Sequence, residues 1–237
     1  MKLVMLGAGG FIGSNLAEYL IDRGEHDVVG VDVSAEKLTG ISGGNFRFIE
    51  ADITKAPDLT DDLISQADVV VDLVAYANPS IYVEAPLEVV RLNFFENLRI
   101  AETCMRHGKR LIQYSTSEVY GKNPRRQKFI EDESDLILGP VVKQRWIYAA
   151  SKQLLERMLH GHGLRGDLEY TILRPFNFVG PRFDYLVEAG TRGGPRVFAH
   201  FMSALLTGGP MYLVDRGTQR RCFTHIADAN EAFTVLL

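Results

Sequence analysis

The chain has 237 residues, 46% of them hydrophobic and 24% charged, with a formal net charge of −4. That is the balance of a globular protein held as one large domain or a domain plus part of a second, without whole-chain attraction for nucleic acid or anionic membrane. The two cysteines, Cys104 and Cys222, form no CxxC pair and the six histidines no ligand cluster, so neither a disulfide scaffold nor a structural metal is expected.

The apolar start, Met1 to Leu6, is cut at Gly7, too early for a secretory signal, and no apolar run approaches the ~20 residues of a membrane helix. The expected location is the cytoplasm. Leu3–Leu6 predicts a short buried strand, followed by Gly7-Ala8-Gly9-Gly10-Phe11-Ile12-Gly13 and an amphipathic helix from Ser14 to Arg23. Strand, glycine loop and helix in that order are the context of a dinucleotide-binding turn. Gly7 serves the tight turn, Gly10 the close approach of backbone to a pyrophosphate, and Gly13 the packing of helix on strand. The helix N-terminus then offers free N–H groups to phosphates.

A second strand is predicted over 27–33 and a third over 46–50. Asp32, nineteen residues after Gly13, stands where a carboxylate accepts hydrogen bonds from a ribose diol and repels a 2′-phosphate, which favours NAD over NADP. Asp52-Ile53 follows the third strand, placed to frame an adenine. Residues 67–74 form a nearly continuous apolar strand interrupted by Asp72, and Ala75 to Ser80 forms the loop at its end. The apolar set Leu87, Val90, Phe94, Leu98 and Ala101 predicts one long amphipathic helix from Glu84 to His107, mostly core, with part of it free to serve a subunit interface. A fifth strand at 110–113 leads into Thr116-Ser117-Glu118. A polar segment, Lys122 to Asp135, reads as a solvated flap. A helix follows from Lys143 to about His160, then a sixth strand at 168–173 and Arg174-Pro175-Phe176-Asn177. Strands alternating with helices predict an α/β fold, a Rossmann-type doubly wound parallel sheet. Past Gly180 the pattern changes: a basic glycine loop at 190–196, a helix at 197–206, a strand at 211–214, an arginine-rich turn from Arg216 to Arg221, and a last helix from Asp228. The division expected is residues 1–180 for the dinucleotide and 181–237 as a partial substrate-binding region, the last helix returning to the first domain.

Tyr148 and Lys152 stand four apart on one helix face. A lysine ammonium beside a tyrosine favours the phenolate, and a phenol so tuned removes a proton from an alcohol. Arg145 shares that face, although a surface arginine reads the same way. Asn177 can both donate and accept toward a sugar or diphosphate.

Together, Gly7-x-x-Gly10-x-x-Gly13, Thr116-Ser117-Glu118-Val119-Tyr120-Gly121, Tyr148-x-x-x-Lys152 and Arg174-Pro175-Phe176-Asn177 resemble the extended short-chain dehydrogenase/reductases acting on nucleotide sugars. Within them the chain is most similar to UDP-glucuronate decarboxylases of the polymyxin-resistance type, through Gly139 to Lys152, Gly180-Pro181-Arg182 and Arg221-Cys222-Phe223-Thr224. The resemblance implies NAD as cofactor, a UDP-hexuronate substrate and a homodimer. It implies that Tyr148 deprotonates the sugar C4 hydroxyl and that Lys152 tunes Tyr148 and holds the nicotinamide ribose. Thr116 would bond the reacting oxygen, and Ser117 and Glu118 would lie by the hexuronate C5 and C6. It places Tyr82, Arg145, Asn177 and Arg221 at the substrate and Gly7, Gly10, Phe11, Ile12, Gly13, Asp32, Asp52, Ile53 and Ala75 at the cofactor. Ser117 stands where 4,6-dehydratases carry aspartate. Ala77 and Ser117 stand where apiose-forming enzymes carry cysteine, and Tyr212 where the decarboxylases carry lysine. Relatives continue past residue 237 and place a catalytic arginine there, so the chain is expected to be partial. A UDP-apiose/xylose synthase, a 4-epimerase and a catalytically idle dinucleotide sensor are the rival readings.

Overall fold

The computed structural model describes residues 1–124, 127–183 and 197–237, without the side chains at 214 and 215. Its centre is a parallel six-stranded sheet. The strands are β1 (Lys2–Leu6), β2 (Asp27–Asp32), β3 (Phe46–Glu50), β4 (Val69–Asp72), β5 (Arg110–Tyr114) and β6 (Tyr170–Leu173), in the order β3-β2-β1-β4-β5-β6. The chain runs outward one way from β1 to β3, then returns and runs the other way from β4. The crevice between β1 and β4 is therefore the switch point where such sheets bind ligands.

Strand residues alternate between two cores, as the pleat requires. Val4, Leu6, Val70 and Leu111 face α2 (Pro57–Gln66), α5 (Asn97–Arg106) and α6 (Ile147–Arg165), meeting Leu63, Ile64, Ile100, Leu155 and Leu159. Leu3, Met5, Val69, Val71 and Ile112 face the other way, onto Leu16 and Leu20 of α1 (Phe11–Arg23) and Phe233 of α8 (Ile226–Leu236). Each buried Leu or Ile of these layers contributes about 1.5–3 kcal/mol. The last helix is tied to α1 by Asn230 Nδ2, which donates to the Asn15 carbonyl at 3.0 Å. Helices α1 and α6 end where Gly24 (φ 64°) and Gly166 (φ 75°) take the left-handed conformation.

The helix expected over 84–107 is broken. Helix α3 (Pro79–Glu84) ends at Ala85, which leaves helical geometry before Pro86. Then α4 (Pro86–Val90), a π-helical turn (Arg91–Glu96) and α5 run on continuously. Proline excludes the preceding residue from the helical region and blocks the turn behind it. The buried stripe is Val89, Asn93, Asn97, Ile100, Ala101 and Cys104, whereas Leu87 of the expected stripe is exposed. Two asparagines lie inward because they bond the loop after β4.

Beyond β6 lie β7 (Asn177–Val179) and β8 (Phe223–His225), a parallel pair that the sequence pattern does not announce, with α7 (Val197–Thr207) between them in sequence. The strand expected at 211–214 does not form. Met211, Tyr212 and Leu213 are exposed, and Val214–Gly217 is a 3-10 turn. The basic loop expected at 190–196 lies outside the described residues. In the segment expected to be a flap, Phe129 stacks on Tyr120 at 4.5 Å, and Gly121 bridges Ile137 just beyond its end. Among the described residues no helix is long and apolar enough to cross a membrane, and no group of three or more His, Cys, Asp or Glu could hold a metal.

Candidate active site

A cavity of about 300 Å³ opens at the C-terminal ends of β1, β4, β5 and β6. One end is made by the glycine loop. Gly7 has φ 89°, left-handed geometry that favours glycine, and its N–H donates to the Val31 carbonyl at 2.8 Å. A Cβ on Gly13 would stand 2.3 Å from the Gly7 carbonyl oxygen, and one on Gly9 2.0 Å from that of Ser34. Gly13 thus packs on the loop's own backbone rather than on a strand, and Gly9 is a required glycine that the spacing did not single out. Gly10 differs: a Cβ there would meet only the Gly7 oxygen, at 3.4 Å. Nothing in the protein demands a glycine at this position, yet it lines the cavity. It is also the N-cap of α1, and no side chain caps that helix. Open space beside an uncapped helix N-terminus fits a diphosphate.

Asp32 closes the loop from the end of β2. Its Oδ2 accepts the Gly9 N–H at 2.9 Å and its Oδ1 the Val33 N–H at 2.7 Å. Burial pushes this carboxyl up from its ordinary range, against the N–H groups of Val33, Gly9, Ser34 and Gly10, which favour the anion. A carboxylate at this strand end is placed to accept from a ribose diol. Asp52 and Ile53 do not line this cavity. Asp52 Oδ1 accepts from the Thr54 N–H and hydroxyl, Oδ2 pairs with Lys55 at 2.8 Å, and Ile53 lies in the core.

The other end is made of side chains. Thr116, Ser117 and Glu118 line it from the turn after β5, with Tyr148 from the start of α6 and Asn177 from β7. The Ser117 N–H donates to the Pro175 carbonyl at 2.9 Å, which binds the turn to the loop after β6. Thr116 Oγ1 accepts the Glu118 N–H at 3.2 Å, so its hydroxyl hydrogen is left to donate elsewhere. Behind the turn, buried Glu156 accepts from the Ser115 hydroxyl and from Arg174 Nη2 at 2.7 Å, which holds the strand end rigid. Tyr148 stacks on the buried ring of Tyr82, centroids 4.7 Å apart and planes 9° from parallel. Ala75 and Ala77 line the cavity between the two ends.

Lys152 lies one turn below Tyr148 and is 1% exposed. Its Nζ donates to Asn97 Oδ1 at 2.9 Å and to the Tyr114 carbonyl at 3.1 Å. Burial pulls its pKa down to about 8, against Asp72 and Glu156, which favour the cation. Asn97 Nδ2 donates in turn to the Val74 carbonyl at 3.1 Å, and Asn93 bonds both the N–H and the carbonyl of Tyr76. These two asparagines were missed in the sequence. Their signal was two amides four apart on an otherwise apolar helix face.

Arg145 sits on the 3-10 turn Gln144–Trp146 ahead of α6 and donates to Glu118 Oε2 at 3.3 Å. Burial pushes the Glu118 carboxyl up, while Arg145 and Arg221 hold it toward the anion. Arg221 is exposed and its Nη1 donates to the Arg220 carbonyl; Asn177 Nδ2 donates to the Cys222 carbonyl at 2.9 Å. The site therefore joins a glycine loop with open space beside a helix N-terminus, a tyrosine and a lysine one helix turn apart, a hydroxyl donor and a carboxylate paired with Arg145. Such a set suits proton removal from an alcohol bound beside a dinucleotide.

This is the arrangement of a Rossmann-type enzyme that uses a dinucleotide. The chain belongs to the NAD dependent epimerase/dehydratase family, whose model matches residues 3–237, and its cofactor is NAD. Among solved structures it is similar to the PbgP3 protein of Burkholderia pseudomallei, with 38% identity over 98% of this chain and 69% of that one and a TM-score of 0.88. It is also similar to a UDP-N-acetylglucosamine 4-epimerase of Methanobrevibacter ruminantium in complex with UDP-N-acetylmuramic acid, with 27% identity over 98% and 71% of the two chains and a TM-score of 0.82. A UDP-glucuronic acid 4-epimerase of Bacillus cereus in complex with NAD matches with 26% identity over 100% and 73%, TM-score 0.81.

Proposed function

We propose that the protein acts on a UDP-sugar and that its reaction is the oxidative decarboxylation of UDP-glucuronate. The observation that carries this reading is the charge at the reaction end: Glu118, which lines the cavity, pairs with Arg145 at 3.3 Å, and the charge of Arg221 also holds it toward the anion. The excess cation suits a substrate that brings a carboxylate of its own. The Methanobrevibacter epimerase, solved with a UDP-sugar, supports the nucleotide class.

NAD, when bound, supplies the acceptor for the hydride that leaves C4 of the sugar. Tyr148 takes the proton of the C4 hydroxyl, and the Lys152 ammonium favours the phenolate that does so. Thr116 donates its hydroxyl hydrogen to the C4 oxygen. The resulting C4 carbonyl is β to the C6 carboxylate. The C5–C6 bond breaks, carbon dioxide leaves, and the electron pair passes into the carbonyl as an enolate, which takes a proton from water at C5. Arg145 and Arg221 orient the carboxylate, Ser117 and Glu118 lie beside C5 and C6, and Tyr82 and Asn177 wall the sugar. Asp32 and the glycine loop hold the cofactor.

A 4-epimerase is the second reading, favoured by the similarity to epimerases of UDP-sugars. An epimerase would return its substrate inverted at C4, with every carbon retained. Incubating the protein with NAD and UDP-glucuronate, while following NADH absorbance and released carbon dioxide, separates the two. Both signals rising together are expected. Carbon dioxide without net NADH would mean internal re-reduction to a pentose. UDP-galacturonate without carbon dioxide would replace decarboxylation by epimerisation.

A homodimer fits the surface. Val83, Leu87 and Phe95 on the α3–α5 side and Leu154 and Met158 on α6 are exposed, on elements that pack together through α4, the π turn and α6. Such apolar area is typical of a subunit contact.

A further inference from the structure

Residues 69–74 form an apolar strand and its continuation with one carboxylate in the middle, Asp72, and the reaction as described makes no use of it. Asp72 is fully buried, on the same sheet face as Val70, which is the face covered by α5 and α6. Its Oδ1 accepts the Val74 N–H at 2.9 Å, whereas its Oδ2 has no hydrogen-bond partner. Gln113, its register partner on β5, is also fully buried, and its Oε1 is unpartnered too. Gln113 Nε2 donates to the carbonyls of Asp72 and Tyr114, at 3.3 and 3.4 Å, and its amide also favours the Asp72 anion. A buried anion with an unsatisfied oxygen is costly, and an apolar residue would complete the strand without that cost.

Lys152 has the matching deficit. It is buried, and both of its hydrogen-bond acceptors, Asn97 Oδ1 and the Tyr114 carbonyl, are neutral. A buried ammonium without an anion gives up its proton. Two carboxylates act on it, Asp72 and then Glu156. Glu156 is already paired with Arg174 through Nε and Nη2 and bonded by Ser115. The negative charge of Asp72 is not spent on any other cation among the described residues. Asn97 and Val74 link the two groups: Lys152 to Asn97, Asn97 to the Val74 carbonyl, the Val74 N–H to Asp72.

We propose that Asp72 is a positioning residue for the reaction, the buried counter-charge that keeps Lys152 cationic beneath Tyr148. This rests on the reading of Tyr148 and Lys152 given under Proposed function. The remaining groups around Asp72 do not compete. Cys104 of α5 is pushed by burial to about 12 and stays a thiol, and Glu96 of the π turn is paired with Arg99. Burial pushes the Asp72 carboxyl itself up to about 6, against Lys152. One proton there would satisfy both orphaned oxygens, shared from Asp72 Oδ2 to Gln113 Oε1. It would also remove the counter-charge of Lys152, but at that pH the ammonium keeps its proton without help, so the counter-charge matters on the alkaline side, where it holds the proton as the pH rises toward about 8.

The test is Asp72→Asn, which keeps the acceptor for Val74 and gives Gln113 Oε1 a donor. The Lys152 side chain is followed by NMR in protein labelled at the lysine Cε, its signal assigned by loss in Lys152→Met. In the wild type it should titrate near 8, where burial pulls it down; in Asp72→Asn the midpoint should fall by about one pH unit, a tenfold loss of proton affinity. The alkaline limb of kcat for NAD-dependent turnover of UDP-glucuronate should fall by the same interval, with KM and NAD affinity within about twofold. A Lys152 midpoint unmoved in Asp72→Asn overturns the proposal. A midpoint that moves, in a protein that turns over no hexuronate, keeps the counter-charge and defeats the functional reading instead. If Asp72→Asn fails to fold, the coupling is read from the other side, because it is reciprocal. Lys152→Met should raise the Asp72 midpoint, read at its carboxyl carbon, by about one unit. An unchanged Asp72 midpoint overturns the proposal as firmly.

Discussion

The two ends of the cavity are built by opposite means. The dinucleotide end is made of backbone and missing side chains: Gly7 in left-handed geometry, Gly9 and Gly13 with no room for a methyl, and Gly10 with room kept open. The reaction end is made of side chains held from a distance: Thr116 by its own turn, Tyr148 against Tyr82, Lys152 by Asn97 from another helix. The first end is therefore damaged by adding atoms and the second by removing them.

The largest effect tests the second end alone. Tyr148→Phe removes one oxygen from a ring whose stack on Tyr82 survives. Loss of general-base catalysis should lower kcat by about 10³-fold. NAD affinity by calorimetry and the thermal unfolding midpoint should be unchanged. A variant that still turns over at a tenth of the wild-type rate would remove Tyr148 as the base and leave the sensor reading standing.

At the first end two alanines should behave differently. In Gly13→Ala the new methyl meets the Gly7 oxygen and the Ala8 backbone at 2.3–2.9 Å, so the loop must shift. Both stability and NAD affinity should fall, the former by about 1–3 kcal/mol, as for other overpacked sites. In Gly10→Ala the methyl meets only one atom at 3.4 Å. Thermal unfolding should be unchanged, while NAD affinity drops about tenfold, because the methyl occupies the space the diphosphate needs. Equal NAD affinity in Gly10→Ala and wild type would place the diphosphate elsewhere.

This contrast also explains what the sequence made legible. The glycine loop, the tyrosine–lysine spacing and β1 to β6 are local patterns: alternation within five or six residues, a turn, four residues on one helix face. Each was recognised within a few residues of its bounds. What could not be seen depends on partners far along the chain. Asn93 and Asn97 read as interruptions of an apolar stripe, and only the loop at Val74 to Tyr76 shows why they point inward. The buried face is consequently turned away from Leu87. The pairing of Asn177 with Phe223 spans more of the chain than any period can report, and Met211 to Leu213 has strand-like residues without a neighbouring strand. Asp72 read as a break in an apolar strand, because its counterpart Lys152 lies on α6.

Asn97→Ala tests whether the reaction end depends on that long-range support. It leaves the Val74 carbonyl without its side-chain donor and Lys152 with the Tyr114 carbonyl as its remaining acceptor among the described residues. Stability should fall by about 1–3 kcal/mol, the cost of buried polar groups left unpaired. The rate kcat should fall by about tenfold with NAD affinity nearly intact, as for a misplaced catalytic group. A loss of stability with no change in kcat would make Asn97 a scaffold residue only.

The smallest expected effect separates the two functional readings. Arg145 and Glu118 form a pair at 3.3 Å with the arginine side chain 53% exposed, so Arg145→Ala should cost less than about 1 kcal/mol of stability after solvent screening. Its effect on substrates should depend on their charge. Toward UDP-glucuronate the KM should rise about tenfold, since a charge-assisted contact to the C6 carboxylate is lost. Toward a UDP-hexose without that carboxylate no change is expected. Equal losses on both would mean that Arg145 holds the nucleotide or the wall of the site rather than C6. The excess of guanidinium over carboxylate at Glu118 would then cease to favour a hexuronate, and a 4-epimerase of neutral UDP-sugars would become the better account of the same tyrosine, threonine and lysine.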